Sequence, residues 1–303
     1  MRIGLMIGAD STTRSIDDLV ALGKRAESLG FASVWMANIF SFDAITALTL
    51  IGRDTKKIQL GTAVVPTYPR HPTALAQQAL TAASATGNRF NLGIGLSHQV
   101  VIENMLGFSY AKPARHMREY LSVLGPLLRG ETVNFDGDEF HVHGVTLAVP
   151  GARKVPIIVA ALGPAMLKLT GALADGTTTW MVGPKTMSGH IIPTLTAAAK
   201  EAGRPAPTVV GGFPIVLTNK PDEAREAIAK QLTIYGQLPS YRAMLDREGV
   251  KGPADIAIAG DENALRGEIK RLESIGITDF TAAIAATDEQ AFERTLEFLS
   301  SLN

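Results

Sequence analysis

The sequence predicts a closed (β/α)8 barrel, an α/β fold formed by one domain over residues 1–303. Short apolar runs at 3–8, 33–38, 58–65, 90–96, 156–161, 177–182, 208–218 and 279–285 supply eight strands. They are rich in Val, Ile, Leu and Ala without strict alternation, the pattern of parallel strands covered on both faces. Amphipathic helical patterns separate them, and right-handed crossovers between parallel strands must cover the sheet. An open doubly wound sheet would place G-x-G-x-x-G after its first strand, where Gly8-Ala9-Asp10-Ser11 stands instead.

The first helix, Ser15 to Leu29, sets Ile16, Leu19, Val20, Gly23, Ala26 and Leu29 at helical spacing. Ser15 with Asp18 forms a capping-box pattern, and Gly30 sits where a glycine ends a helix. The third helix opens at Pro72, a favoured first-turn residue, and turns Leu75, Ala79 and Leu80 inward. Further helices are predicted at 164–174, 184–202, 221–247 and 287–301. Two stretches are too long for simple crossovers and read as inserts after strands four and seven. Residues 97–155 hold a helix near 116–129 and a hairpin around 134–140. Residues 219–278 hold one or two helices, a segment at 254–260 and a helix from Asp261 to Ser274.

Hydrophobic residues make up 46% and charged residues 19%, enough apolar material for a large core. Lys+Arg and Asp+Glu both number 29, so no net charge draws the chain to nucleic acid or an anionic membrane. There is no cysteine, which excludes disulfides, thiolate metal sites and cysteine nucleophiles. No apolar run approaches the roughly 20 residues of a membrane helix, and no leader pattern precedes Arg2. A soluble, cytoplasmic protein with a small-molecule partner is the expectation.

A barrel of this kind builds its site at the C-terminal ends of its strands. That rule selects Gly8, Asn38, Ala63-Val64-Val65, Ser97-His98, Ala161-Leu162-Gly163, Trp180-Met181 and the end of strand seven near Phe213. Gly163 and Pro164 open a helix whose free N–H groups attract phosphate, although a plain tight turn has the same composition. Two glycines in Leu92-Gly93-Ile94-Gly95-Leu96 signal close approach of backbone or ligand. His98 can donate to phosphate, orient a ring or act as an acid, or serve structure alone. Asn38 offers a hydrogen-bonding amide, and Trp180-Met181 a stacking surface or a piece of core. His141 and His143 share a strand face near Asp136, Asp138 and Glu139 but lack the spacing of a zinc site, so no metal is expected. Neither a G-x-S-x-G elbow nor a P-loop is present.

Three ordered motifs carry a family resemblance. They are Leu60-Gly61-Thr62-Ala63-Val64 running to His71-Pro72, Asn88-Arg89-Phe90-Asn91-Leu92-Gly93-Ile94-Gly95, and Pro156 to Met166 continuing to Ala174-Asp175-Gly176. With them the chain resembles the luciferase-like F420-dependent oxidoreductases, which include methylenetetrahydromethanopterin reductase and F420-dependent glucose-6-phosphate dehydrogenase. The resemblance implies a bacterial luciferase-like barrel and a cofactor site. A non-prolyl cis peptide at Ala63–Val64 would back the deazaflavin ring. The phospholactyl tail would lie against Leu96-Ser97-His98 and the turn Leu162-Gly163-Pro164-Ala165-Met166, and the pyrimidine end near Gly8 and Asn38.

There is a departure from the pattern. The sugar-phosphate dehydrogenases similar to this chain have an Asp-His pair where Asn38-Ile39 stands, and an acidic residue where His98 stands. The resemblance therefore implies a reductase, with hydride passing from reduced F420 to a C=C, C=N or C=O bond. His98 and Asn38 are the catalytic candidates, with His98 or water supplying the proton. Phe40, Tyr68, Trp180, Met181 and Phe213 are candidate walls for a small, largely apolar substrate. An FMN-dependent monooxygenase of the same fold is the alternative, a non-catalytic F420-binding barrel the second. A homodimer is the common assembly of the group.

Overall fold

In chain order the elements begin β1 (Arg2–Ile7), α1 (Ile16–Ser28), β2 (Ser33–Met36), α2 (Ala44–Asp54), β3 (Gln59–Thr62), β4 (Val65–Pro66) and α3 (Pro72–Ala85). They continue with β5 (Phe90–Gly95), α4 (Pro113–Leu128), β6 (Val133–Asp136), β7 (His141–Val145), β8 (Ile157–Ala160), α5 (Pro164–Leu173) and β9 (Gly176–Trp180). The remainder is α6 (Pro184–Thr186), α7 (Ile192–Glu201), β10 (Thr208–Leu217), α8 (Pro221–Gln231), α9 (Pro239–Glu248), β11 (Ile258–Gly260), α10 (Glu262–Ser274), β12 (Asp279–Ile284) and α11 (Glu289–Ser300). This computed structural model describes residues 1–8 and 15–303; Ala9, Asp10 and Ser11 of the first strand-to-helix turn lie outside the described residues.

β1, β2, β3, β5, β8, β9, β10 and β12 run parallel, and pairing of β12 with both β10 and β1 closes the ring. These are the eight strands read from sequence, in the same order. β4 pairs with β5 and β11 with β10 outside the ring path. The predicted strand 58–65 is divided after Thr62 into β3 and β4, and the Ala63–Val64 peptide between them is cis.

Alternation along each strand divides the core into two layers. Inside the barrel Trp35, Ile158 and Val210 pack with Met6 and Ala63. Outside it a much larger apolar layer joins strands to helices, including Leu5, Ile7, Leu19, Leu48, Leu92 and Phe280. Capping follows the sequence reading: Ser15 and Asp18 form the reciprocal box at α1, and Gly30 takes φ +84° just after it. The predicted helix 221–247 is broken, since a short 3-10 turn and Pro239 separate α8 from α9. Likewise 184–202 carries a π-helical turn at Met187–Ile191 between α6 and α7. The hairpin predicted around 134–140 is β6–β7.

Candidate functional site

Several strand ends at the C-terminal face of the barrel carry irregular backbone. Gly8 after β1, Ser97 after β5 and Met181 after β9 have φ of +77°, +60° and +52°, and the cis peptide follows β3. Positive φ is uncommon for residues other than glycine and recurs at functional sites. Ser97 is held in this conformation by the Tyr110 hydroxyl, which donates to its carbonyl at 3.2 Å. The Met181 N–H donates to the Gly212 carbonyl at 3.0 Å.

Gly93 and Gly95 make room for the turn after β3. A Cβ on Gly93 would collide with the Thr62 carbonyl oxygen, and one on Gly95 would fall 2.6 Å from Val64 Cγ2. Thr62 completes the junction: its hydroxyl donates to the Gly93 carbonyl at 2.7 Å and accepts from the Gly93 N–H at 2.8 Å. The close approach signalled by these two glycines is therefore made by backbone at Gly93 and by the Val64 side chain at Gly95.

Asn38 is tied to the same turn. Its N–H donates to the Val64 carbonyl at 3.4 Å, while its Oδ1 accepts from the Ala44 N–H at 3.0 Å at the start of α2. His98 lies half-buried between Tyr235 and Tyr241, with ring centroids at 6.3 and 5.9 Å. Burial pulls its imidazole below the ordinary histidine value, which keeps the ring neutral at pH 7. The next strand end presents α5, with Gly163 at the cap position, Pro164 in the first turn and no side chain capping the helix. Its unpaired N–H groups at Ala165 and Met166 face outward, and a Cβ on Gly163 would meet nothing within 4 Å. His190 Nε2 steadies the turn from below at 2.8 Å from the Leu162 carbonyl.

Of the candidate walls, Trp180 lines a cavity of about 480 Å³ at the strand ends, together with Met6, Ile39, Leu232, Tyr235 and Phe292. Phe40 is 69% exposed beside Ile39, while Met181 is buried. Tyr68 and Phe213 lie apart from this cavity. Gly212 faces inward against Trp180, so its neighbour Phe213 faces outward, 1% exposed and stacked on Phe280 at 6.0 Å. Tyr68 is committed to a stack on His116 of α4 at 4.0 Å and on Tyr110 at 5.5 Å. Neither is a wall of that cavity. Ile39, Tyr110, His190, Tyr235 and Tyr241 escaped the sequence reading. All lie in loops or helical turns, where no periodicity marks an inward residue.

His141 Nδ1 and His143 Nε2 both reach Asp136 Oδ1, at 3.1 and 3.2 Å, on the exposed hairpin. Among the described residues no three His, Asp or Glu side chains are grouped to hold a metal.

A family profile described as luciferase-like monooxygenase matches residues 1–302. A 5,10-methylenetetrahydromethanopterin reductase of Methanolobus tindarius is 32% identical over 252 residues, covering 80% of this chain and 76% of that protein. The solved coenzyme F420 dependent tetrahydromethanopterin reductase of Methanopyrus kandleri superposes with a TM-score of 0.82 at 23% identity, covering 99% of this chain and 97% of that one. An oxygenating constituent of a Pseudomonas putida diketocamphane monooxygenase, solved with FMN, superposes with a TM-score of 0.77 at 17% identity, covering 99% and 96%. The two structural likenesses establish the fold. The chain belongs to the luciferase-like family.

Proposed function

We propose that this luciferase-like chain is an F420-dependent oxidoreductase that runs as a reductase, passing hydride to a C=C, C=N or C=O bond of a small, largely apolar acceptor. One observation carries the reading: the Ala63–Val64 turn after β3, the Ser97-His98 turn after β5 and the uncapped start of α5 all lie at the C-terminal face. The residues present fit a deazaflavin with a phosphate-bearing tail. Backbone N–H groups at Ala165 and Met166 are open to an anion, and the helix start favours negative charge. Leu96, Ser97 and His98 would meet the tail from the β5 side, with Leu162, Gly163 and Pro164 shaping the other side. The turn at Ala63 and Val64 would back the ring, and Gly8 and Asn38 would meet its pyrimidine end.

The bound deazaflavin supplies a hydride held on carbon, so the protein's work is to position one ring face and exclude water. Asn38 fixes the β3 turn to α2 and thereby the ring's support. His98, neutral at pH 7, offers an N–H to an oxygen of the tail, and water supplies the proton in the neutral range. Trp180, with Phe40 at the rim and Met181 behind, bounds the acceptor side.

The FMN-dependent monooxygenase reading is favoured by the likeness to the FMN-bound structure. Titration of the purified apo-protein with F420 and, separately, with FMN divides the two. Low-micromolar F420 binding with much weaker FMN binding, followed by oxidation of reduced F420 in the presence of acceptors, supports the proposal. Tight FMN binding with negligible F420 binding overturns it. F420 binding without hydride transfer to any acceptor supports a non-catalytic binding barrel instead.

The assembly is read as a cytoplasmic homodimer of one-domain chains. Ala44–Gly52 of α2 and all of α3 lack charged side chains, and Leu50 stands exposed on α2. A second copy of the same uncharged face is its natural cover. Light scattering should give twice the chain mass, and Leu50→Lys should shift it toward the monomer. Among the described residues no helix is long and apolar enough to cross a membrane.

A further inference from the structure

The insert after β10 reaches back across the mouth of the barrel. Tyr235 lies in the 3-10 turn at Thr233–Gly236, and Tyr241 in the first turn of α9. Their rings meet edge to face at 5.1 Å, and both contact His98 on the β5 side. β8 and β9 stand between β5 and β10 in the barrel, so this contact spans two strand ends and the start of α5. Tyr235 is also a wall of the 480 Å³ cavity, where it faces the same space as Trp180, Ile39 and Leu232. That volume lies within the range of small-molecule sites, roughly 300–1,000 Å³. The Tyr235 hydroxyl makes no hydrogen bond to any described residue. Burial pushes it above the ordinary phenol value, so it remains a donor through neutral and mildly alkaline pH.

A tyrosine in such a wall presents a flat apolar ring and a polar tip to one ligand. With Trp180 as a second flat surface, the cavity suits a planar unsaturated molecule whose oxygen can accept from the Tyr235 hydroxyl. Resting on the reading of the mouth as an acceptor site, we propose that Tyr235 is its specificity-determining residue and selects a planar, conjugated carbonyl acceptor. Tyr241 and His98 brace the Tyr235 ring from behind, so the selection depends on contact across the mouth.

The test needs one measurement independent of the cofactor. Acrylamide is a small conjugated carbonyl that quenches indole fluorescence, and a Trp180→Phe control assigns the signal from the cavity. In the apo-protein, Tyr235→Ala should raise the quenching constant of Trp180 about twofold or more, while Tyr235→Phe leaves it nearly unchanged. With reduced F420 and cyclohex-2-en-1-one, Tyr235→Ala should raise KM about tenfold and Tyr235→Phe about threefold, with kcat within about twofold, the mark of lost acceptor binding. F420 affinity should stay constant in both. Unchanged quenching in Tyr235→Ala overturns the proposal, as does a KM shift matched by loss of F420 affinity. If the wild-type protein binds no F420, the cofactor reading fails, while the quenching result still decides whether Tyr235 walls the cavity.

Discussion

Arg89 shows how one side chain joins three pieces of chain. Its guanidinium donates to the carbonyls of Ile58 and Gly52 at 2.7 Å, to the Thr55 carbonyl at 3.0 Å and to the Thr55 hydroxyl at 3.2 Å. It thereby clamps the end of α2 to the approach of β3 from the start of β5. The sequence marked Arg89 as part of a motif but not as a clamp, because the acceptors are carbonyls 31 to 37 residues away. A lysine reaches only part of that fork and leaves buried carbonyls unpaired. Arg89→Lys should cost about 2–3 kcal/mol in denaturant unfolding, and a loss below about 0.5 kcal/mol would show the clamp to be redundant. His98 makes a separate residue-scale prediction. Its folded pKa is lowered by burial, so its stability contribution is present above the ordinary histidine range and is lost as pH falls through the folded value. His98→Gln should therefore narrow or reverse its stability deficit below about pH 6, measured as unfolding midpoints across pH. A deficit constant from pH 5 to 8 would contradict the burial argument.

At the scale of elements, fastening depends on strands and helices accepting one another's backbone. Glu27 near the end of α1 accepts the N–H groups of Lys56, Lys57 and Ile58 at 2.6 to 2.9 Å, tying α1 to the start of β3. Desolvation raises its pKa, but the three backbone hydrogen bonds, with Arg89 nearby, prevail and lower it. A lowered carboxylate stabilises the fold above its unfolded pKa and loses that contribution as pH falls through the folded value. Glu27→Gln should be less stable than wild type at pH 7, the gap closing in the acid range below the ordinary glutamate value; a gap independent of pH would assign the loss to packing. Gly93 makes the converse case, since any side chain would strike the Thr62 carbonyl. Gly93→Ala should cost about 3 kcal/mol or more through strand displacement, read as a lowered melting temperature, and a near-neutral effect would mean that β3 and β5 can spread. Element types were legible where a strand or helix buries an apolar face, as most of the ring strands do; β9, with Thr177, Thr178 and Thr179 buried, is carried by its neighbours. The breaks were not: Leu232–Leu238 interrupts a pattern that reads as one helix, and Pro239 can start a helix as well as end one. Phe213 lies outside the cavity for a related reason. A strand end fixes how far along the barrel a residue lies, while the alternation begun at Gly212 decides which layer it enters.

For the molecule as a whole, the site is assembled from segments far apart in the chain. The Ala63–Val64 turn, Ser97-His98, the start of α5, Trp180 and the Tyr235 segment belong to five separate strand ends and inserts. β3, β5, β8, β9 and β10 pair in succession and so set the mutual positions of these segments, and a ligand at the mouth binds the assembled sheet and not any isolated segment. Ligand binding then stabilises global folding by mass action, about 2.7 kcal/mol at one hundred times Kd. Stabilisation alone does not locate the ligand, because a flank site would give the same figure. Hydrogen exchange does. Saturating F420 should slow exchange together at 63–65, 97–106, 163–167 and 232–241, segments that touch only across the mouth. The exposed β6–β7 hairpin, carrying His141 and His143, should exchange at its unliganded rate. Protection confined to one of those segments, or appearing mainly on the hairpin or beside α10, would place the ligand elsewhere. The Ala63–Val64 turn and the left-handed Ser97 and Met181 would then have no part in cofactor binding.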